Sequence, residues 1–489
     1  MCRNQKNFAW FCHFNIIVTK PLITKSQYRQ FLICRHEFWL QYHEPETFAS
    51  KPDIELMHQL DLGNAIERLA MDYFVASEML TVDFQQEYIS EQLYARSDIV
   101  LTEKYPHSRT LIEVKSGTAV TRDYLNDLAF QFVAAEMAGV PIDRLGVLHV
   151  NKPYIFDGVL DLQAWLVYVD VTDQVIERLD QTRENIAAAI NCLLGDEPEM
   201  VLHLFCNKKR KCPAFQKYHP EWPSYSVFQI SGIHQAGLRT LLEMGITDIK
   251  AVPDDFELPP KQRIQVEVAR SGKPFIKKRS ISDALEALRF PLYFLDYEAL
   301  QYGIPMYPGT RPYQQMVFQW SLHILDDRHS EPRHLEFLSD GTALPSYAFA
   351  QALQDAIPAD NGTVIVWNKD FETRRNIELG LMYPEFEPFL ADLNTRVFDL
   401  MEIFRKQYYV HPAASGSYSI KRILPVFAPQ HSYRDLEIGG GLLASIRWFE
   451  VVTGKIPEQD KEQIMADLRS YCHLDTLAMV EIYSALAKG

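Results

Sequence analysis

The chain has 489 residues, of which 47% are hydrophobic and 23% are charged, and its formal net charge is −15. Domains usually hold about 100–200 residues, so this length predicts two or three domains with separate hydrophobic cores. A charge this negative argues against a uniformly basic nucleic-acid-binding surface, although it says little about a local groove lined by metal-binding carboxylates.

Three features of the sequence bear on where the protein is located. There is no run of about 18 or more apolar residues, so no membrane-spanning helix and no membrane partner are expected. The mildly apolar stretch at residues 8–18 lacks a small-residue cleavage site, so it is not interpreted as a signal peptide. The seven cysteines are sparse and odd in number, which disfavours a secreted disulfide framework and predicts a cytoplasmic protein.

The order of the predicted elements divides the chain into three parts. Helical and strand patterns mix over residues 20–225, and residues 226–285 are mostly helical in pattern. From residue 286 onward, apolar strands alternate with helices to residue 489. This order predicts an α/β protein: a first domain, a helical linker, and a second domain with a mixed sheet.

The first chemistry-bearing pattern lies in the first domain. Two strand-like runs, residues 97–101 and 110–115, flank a polar segment and predict a β-hairpin that brings Asp98 close to Glu113. Glu113 and Lys115 are two residues apart, so they share one face of their strand. Two carboxylates repel each other unless a cation joins them, which predicts Mg²⁺ or Mn²⁺ here. Lys115 would polarise an attacking water or neutralise charge in the transition state.

An amphipathic helix is predicted next, over residues 122–138, with Gln131 able to reach the hairpin. An Asp and a Glu-x-Lys by themselves are a common pattern on solvated strands. Together, however, the segments SDIVL, TLIEVKSGT and YLNDLAFQFVAAEMAGV resemble the RecB family within the PD-(D/E)XK nucleases. The resemblance implies a restriction-endonuclease-like domain in which Asp98 and Glu113 are metal ligands. Lys115 is then catalytic, and Gln131 assists it.

One position departs from that family. Its members often carry a histidine on an early helix, in a Gly-x-x-x-His pattern, whereas this chain runs from Gly63 to Glu67. Glu67 either replaces the histidine as a metal ligand or is an exposed helix carboxylate. The sequence leaves both interpretations open.

The cysteines add a possible cluster that is one ligand short. Cys34, Cys206 and Cys212 match three of the four cysteine positions of RecB-like nucleases that hold an iron–sulfur cluster. The fourth position falls on Tyr218, and the neighbouring His219 is a possible substitute. A Cys₃His set would suit Zn²⁺ equally well. The alternative, which is slightly favoured, is that the cluster has been lost and the cysteines remain as packing residues.

The second chemistry-bearing pattern lies in the last domain. The segment FPLYFLDYEAL predicts an apolar strand that ends in Asp296, Tyr297 and Glu298, with both carboxylates on one face. Near the C-terminus, Tyr471 and Asp475 are four residues apart on a predicted helix and share a face. Each piece alone is a weak signal for chemistry.

Together with TVIVWNKDFETRRN, these pieces resemble the DEDD exonucleases that use a tyrosine, which implies an RNase H-like fold. The family's Asn-x-x-Phe-Asp motif, aligned on Phe371, makes Glu372 a ligand in place of aspartate, with Asp370 as the alternate. Asp399 is a supporting residue. The segment YSIK resembles the family's SLK stretch and makes Lys421 a possible nucleic-acid contact.

Nearly the whole chain, from about residue 20 to 485, resembles an uncharacterised bacterial family that fuses a RecB-like nuclease domain to an RNase H-like domain. The resemblance implies two divalent metal ions in the C-terminal domain, roughly 4 Å apart, held by carboxylates. Asp296, Glu298, Glu372 and Asp475 would hold them, and Tyr471 would orient the attacking water. The implied activity is release of nucleotides from a 3′ end, with DNA favoured over RNA as substrate.

Several alternatives stay open. The alternative to an active nuclease is a nucleic-acid-binding scaffold with degenerate nuclease sites. Glu67, Tyr218 and Glu372 favour this alternative, because each departs from the residue that the nuclease families have at its position. If only one domain is active, the sequence favours the N-terminal one. Basic clusters at residues 208–211 and 277–279 are either solvated loops or DNA contacts. Protein partners are not indicated.

Overall fold

The computed structural model describes residues 22–48, 54–202 and 213–488. They form a mixed α/β structure with mixed sheets. The chain divides into two compact units. Among the described residues, the N-terminal unit comprises 22–48, Ile66–Val150 and Leu166–Met200, and the C-terminal unit comprises 54–65, Asn151–Trp165, 201–202 and 213–488.

The strands, numbered in chain order, are β1 (Ile23–Thr24), β2 (Leu80–Phe84), β3 (Glu87–Ile89), β4 (Leu93–Arg96), β5 (Ile99–Lys104), β6 (His107–Lys115), β7 (Arg144–Val150), β8 (Leu166–Asp170), β9 (Phe275–Ile276), β10 (Leu292–Leu300), β11 (Met316–Leu325), β12 (Arg333–Leu338), β13 (Thr363–Val366), β14 (Val397–Asp399) and β15 (Tyr409–Val410). The helices are α1 (Lys25–Ile33), α2 (Arg35–His43), α3 (Ile54–Ala70), α4 (Arg122–Met137), α5 (Leu162–Trp165), α6 (Thr172–Ile176), α7 (Leu179–Leu194), α8 (Pro213–Tyr218), α9 (Gln235–Glu243), α10 (Pro260–Ser271), α11 (Lys278–Glu286), α12 (Pro345–Ala356), α13 (Asp370–Met382), α14 (Glu387–Thr395), α15 (Glu402–Arg405), α16 (Ile420–Phe427), α17 (Gly441–Val452) and α18 (Glu458–Lys488).

The N-terminal unit is built on a five-stranded sheet in the order β2-β5-β6-β7-β8. β5 and β6 form the predicted hairpin, and β6 pairs with β7 in parallel. The hairpin is longer than predicted, because the polar segment belongs to the strands and the turn is only Tyr105-Pro106. The apolar residues of α4 lie in the hydrophobic core of this unit, and its buried Asp127 and Gln131 contact Lys115 and Glu113 at the end of β6.

The predicted helical linker is a packed part of the C-terminal unit and has its own core. α9 and α10 lie within it, as the sequence predicted, and their apolar residues join a cluster with Val227, Phe228 and Ile249. The segment also contributes β9, which pairs with β15. Residues 226–285 are therefore part of a folded unit and not a simple spacer.

The main sheet of the C-terminal unit has the strand order β12-β11-β10-β13-β14. β10, β11 and β12 run antiparallel, whereas β13 and β14 run parallel to β10. One face packs against α16, α17 and α18, and the other packs against α12 and α14. No helix in the described part of the chain is both long and apolar enough to cross a membrane.

Candidate metal centres

The C-terminal unit brings three carboxylates together. Asp296 and Glu298 lie on β10, and Asp475 projects from α18, which packs on the same face of the sheet. One ligand oxygen from each residue lies within 4.8 Å of the others. Glu298 and Asp475 are only 7% and 6% exposed. The predicted strand does not end at these carboxylates: β10 continues to Leu300, so they lie inside the sheet.

Glu372 joins this group electrostatically from the first turn of α13. Its side chain is 2% exposed, and Oε2 has no hydrogen-bond partner within the described residues. Burial raises the pKa of Glu372 to about 8, and its charge raises the pKa of Asp296. Asp370, the alternate ligand, is exposed at the start of the same helix. Glu372 is thus buried and acts on the carboxylates through its charge, but it is not among the three residues whose ligand oxygens lie within 4.8 Å of one another.

Burial and mutual repulsion act together on these acids. Burial, with the charges of neighbouring carboxylates, raises the pKa of both Asp296 and Glu298 well above the usual range. The pKa of Asp475 rises to about 6 through burial, while its hydrogen bond from Tyr433 and the nearby Lys421 counteract the rise. Such a group either binds protons or needs a cation to hold its negative charge.

Two tyrosines and one lysine surround the carboxylates. Tyr471 is buried one turn before Asp475 on α18. Tyr433 donates its hydroxyl proton to Asp475 Oδ1 at 2.6 Å. The Nζ atom of Lys421 lies 5.5 Å from the ring centroid of Tyr433 and 5.3 Å from that of Tyr471, and it donates to the carbonyl oxygen of Gly439. Lys421, predicted as a nucleic-acid contact, thus lies beside the candidate ligands.

Two glycines before α17 lie against side chains of this site. A Cβ atom on Gly441 would lie 3.1 Å from Glu298 Oε2. A Cβ atom on Gly440 would lie 3.1 Å from Lys421 Nζ. The absence of side chains therefore lets the backbone approach the carboxylate and the ammonium closely.

Two further residues support the site. Cys472 donates its thiol to Asp296 Oδ2 at 3.7 Å. Asp399 accepts from the backbone N–H groups of Asn368 at 3.0 Å and Met401 at 3.1 Å, and it pairs with Arg405 at 3.3 Å. Asp399 thus holds the chain after β13 and β14, and its role in a site stays a prediction. Sequence patterns gave no sign of Tyr433 or Cys472.

The N-terminal unit assembles a second site at the end of β6. Asp98 Oδ2 accepts from the backbone N–H of Val114 at 2.7 Å, so the hairpin brings it beside Glu113. Lys115 Nζ lies 2.8 Å from Glu113 Oε1, and Gln131 donates from Nε2 to Glu113 Oε2. The four residues selected from sequence are therefore in one place.

Two partners of this second site were not predicted. Lys25, the first residue of α1, lies with Nζ 2.5 Å from Glu113 Oε1. Asp127, one turn before Gln131 on α4, accepts from Lys115 at 2.9 Å. The four-residue spacing to Gln131 is a signal that could have identified Asp127, whereas nothing local identifies Lys25.

These pairs give the two carboxylates opposite behaviour. Burial and the charge of Glu113 raise the pKa of Asp98 to about 8. Burial also favours protonation of Glu113, but Lys25 and Lys115 outweigh it and lower the pKa of Glu113 to about 2. Glu113 is thus ionised and already paired with two ammonium groups.

Glu67 lies near this site on α3. Its side chain is half-buried and accepts from Nε2 of Gln85. Burial raises the pKa of Glu67, and its charge contributes to the raised pKa of Asp98. Glu67 is therefore not the fully exposed helix carboxylate of the second interpretation.

The predicted cysteine cluster is only partly described. Cys206 and Cys212 lie outside the described residues. Cys34 lies at the N-terminus of α2, where its sulfur accepts from the backbone N–H of Glu37 at 3.4 Å. His219 packs against the rings of Phe215 and Trp222, with centroids 5.0 and 5.2 Å away. The iron–sulfur or zinc cluster stays a prediction.

Comparisons with known proteins give relatives but no activity. The model of a family described as a domain of unknown function (DUF2779) matches residues 293–419. The chain is 25% identical over 219 residues to the uncharacterized protein UU173 of Ureaplasma parvum, covering 41% of this chain and 32% of that protein. It is 24% identical over 206 residues to the uncharacterized protein MG366 homolog of Mycoplasma pneumoniae, covering 39% of this chain and 31% of that protein.

The chain therefore spans about a third of the length of these relatives. Among solved structures, a crystal structure of SSO0001 is similar at a TM-score of 0.24 and 10% identity. That similarity covers 41% of this chain and 86% of the other.

Proposed function

We propose that this chain is a metal-dependent nuclease that hydrolyses phosphodiester bonds, with DNA favoured over RNA as substrate. The C-terminal unit would carry the 3′–5′ exonuclease activity. The observation that carries the proposal is the convergence of Asp296, Glu298 and Asp475 within 4.8 Å on a buried face. Phosphodiester hydrolysis needs an activated water and a stabilised leaving oxygen, and carboxylate-bound divalent ions supply both.

The donor set fits hard divalent cations. Carboxylate oxygens are preferred ligands of Mg²⁺ and Mn²⁺. Within the described residues, none of the three converging carboxylates forms a salt bridge, and Glu372 keeps a buried oxygen without a hydrogen-bond partner. Burying several acids without a pairing cation is unfavourable, which supports a cation-binding role.

The chain's own residues have distinct roles in this proposal. Asp296, Glu298, Glu372 and Asp475 would hold the metal ions. The hydroxyl of Tyr471, one turn from Asp475, would orient the attacking water. Lys421 would contact a phosphate oxygen, because its ammonium lies beside both tyrosines of the site.

The strand order supports the proposed architecture. An RNase H-like fold has three antiparallel strands followed by two parallel strands, with its acids on the central strand. The C-terminal unit has this order, and its acids lie on the central β10. In the N-terminal unit, the β5–β6 hairpin, the parallel β7 and the helix α4 between them support the PD-(D/E)XK proposal. Asp98, Glu113, Lys115 and Gln131 would form its site.

A nuclease assay tests the proposal. Substrates labelled at the 3′ or 5′ end, as single-stranded DNA, duplex DNA and RNA, are incubated with Mg²⁺ or Mn²⁺. Asp296→Asn/Glu298→Gln should abolish release from the 3′ end, whereas Asp370→Asn, an exposed carboxylate on the helix of Glu372, should leave it unchanged.

Asp98→Asn/Lys115→Ala, assayed in parallel, assigns any remaining cleavage to the N-terminal unit. Binding of nucleic acid without metal-dependent cleavage of any substrate would overturn the enzyme proposal. The scaffold would then be the better description.

One observation indicates that the two units differ in how strongly they would bind a divalent metal ion. Glu113 already has two ammonium partners, Lys25 and Lys115. Among the residues that the structure describes, Asp296, Glu298 and Asp475 form no salt bridge, and Lys421 near them donates to a backbone carbonyl. The charge balance therefore favours the C-terminal unit as the stronger metal-binding site, in contrast to the preference drawn from sequence.

A further inference from the structure

Three histidines meet where β11, β12 and α18 pack together, and they form a group of possible metal ligands separate from that of the carboxylates. His323 lies on β11, His334 on β12 and His473 on α18. One ring nitrogen from each lies within 4.8 Å of the others. The ring centroids are 4.6 Å apart for His323 and His334, 4.7 Å for His323 and His473, and 4.3 Å for His334 and His473.

Strand register and helix packing produce this arrangement. His323 and His334 are direct cross-strand partners in the antiparallel β11–β12 pair, so their side chains lie on the same face. The third imidazole comes from α18, which covers that face. The three residues belong to separate elements, and no sequence motif connects them.

Two hydroxyl groups orient the rings. His323 Nδ1 lies 2.8 Å from Thr476 Oγ1, and His334 Nε2 lies 2.9 Å from Ser321 Oγ. A hydroxyl oxygen that accepts the ring N–H fixes the tautomer, which leaves the opposite nitrogen as a lone-pair donor. Such outer contacts are what metal-binding histidines commonly have.

The charges around the rings are compatible with a cation. Burial, and then the neighbouring imidazoles, lower the pKa of His323 to about 3. Burial, and then the imidazole of His473, lower the pKa of His334 to about 4. Burial lowers the pKa of His473, and the charge of Glu336, two residues after His334, counteracts this decrease. Glu336 also pairs with Arg469 at 3.3 Å. Among the described groups, the imidazole of His431 also lowers the pKa of His473.

We propose that His323, His334 and His473 bind one transition-metal cation of the zinc class. Three imidazoles suit such a cation better than Mg²⁺, which prefers oxygen ligands. The cation would tie α18 to β11 and β12. Because His473 lies between Tyr471 and Asp475, it would fix the helix that presents both residues. This site is chemically distinct from the carboxylate group and does not depend on nuclease activity.

Metal titration of the full-length protein tests the proposal. After chelator treatment, Zn²⁺ binding is measured by calorimetry, and Co²⁺ binding by the absorption bands that nitrogen ligands produce. His334→Ala removes one ligand from a half-buried position, and His329→Ala is the matched control on the exposed turn of the same hairpin. The same titration on Glu298→Gln removes the contribution of the carboxylate group.

The wild type, His329→Ala and Glu298→Gln should each bind one Zn²⁺ with the same affinity at the histidines. His334→Ala should weaken that binding at least about 100-fold, since loss of an outer-shell partner alone costs about 10–100-fold. His334→Gln, which keeps a polar side chain, gives the same test if the alanine variant does not fold. Equal Zn²⁺ affinity in His334→Gln and His329→Ala would overturn the proposal. So would Zn²⁺ binding that disappears in Glu298→Gln and persists in the His334 variants.

Discussion

Replacing Glu372 with glutamine tests whether burial keeps this carboxylate protonated at a pH where an exposed glutamate would be ionised. Burial raises the pKa of Glu372 from 4.5 to about 8 in the folded state. Between these values the folded protein binds a proton at this position that the unfolded chain does not. The stabilisation that this proton gives the folded state is therefore complete below about pH 4.5, and it is lost as the pH rises from there through 8.

The magnitude follows from the two pKa values. Each unit of pH over which the folded state holds the extra proton changes the free energy of unfolding by about 1.4 kcal/mol. From pH 6 to pH 9, the proton on Glu372 accounts for a loss of about 3 kcal/mol in the metal-free protein. Glutamine cannot ionise, so Glu372→Gln should remove this part of the pH dependence.

Urea unfolding in EDTA at several pH values measures the effect. The slope against pH is the informative quantity, because a buried amide without a partner also changes the absolute stability, by about 1–3 kcal/mol. Asp370→Asn, on the same helix but exposed, should keep the wild-type slope. Equal slopes for Glu372→Gln and wild type would show that Glu372 ionises normally, and the electrostatic reasoning would fail.

Three further predictions concern the two sites. Gly441→Ala should weaken Mn²⁺ binding, measured by calorimetry, by about 10-fold, the low end of what a disturbed outer-shell contact costs a metal site. The reason is that its Cβ would lie 3.1 Å from Glu298 Oε2. Gly439→Ala, whose Cβ would meet only an ordinary contact at 3.5 Å, is the control. Lys25→Met should lower the free energy of unfolding by about 1.5–3 kcal/mol, since Glu113 loses a charged hydrogen bond; an unchanged urea midpoint would contradict this. Mn²⁺ at 100 times its dissociation constant should stabilise the wild type by about 2.7 kcal/mol at pH 8, and Glu298→Gln should lose most of that gain.

Local patterns identified most of the candidate ligands. Asp98 and Glu113 could be paired from sequence because a short hairpin imposes its own register. Tyr471 and Asp475 share a helix face because they are four residues apart. These are short-range consequences of strand and helix geometry, so they do not depend on how distant segments pack.

Long-range partners could not be predicted in this way. Lys25 is 88 residues from Glu113 in sequence, and Tyr433 is 42 residues from Asp475. The three histidines come from two strands and a helix whose contact depends on strand order and on the packing of α18. A residue that reaches a site through tertiary packing leaves no periodic signal beside the motif it serves.

The charge balance of the two sites also bears on which unit carries the chemistry. In the N-terminal unit, Lys25 and Lys115 hold Glu113 ionised at low pH, so a divalent ion would have to compete with ammonium groups already in contact with that carboxylate. In the C-terminal unit, Lys421 lies near Glu298 and Asp475 but donates to a backbone carbonyl, and these acids keep raised pKa values. A divalent ion that binds there removes repulsion and the cost of burial together, so its binding would be favoured more strongly. Metal affinity should therefore depend on the C-terminal carboxylates first, and the N-terminal site should gain affinity when Lys25 is removed.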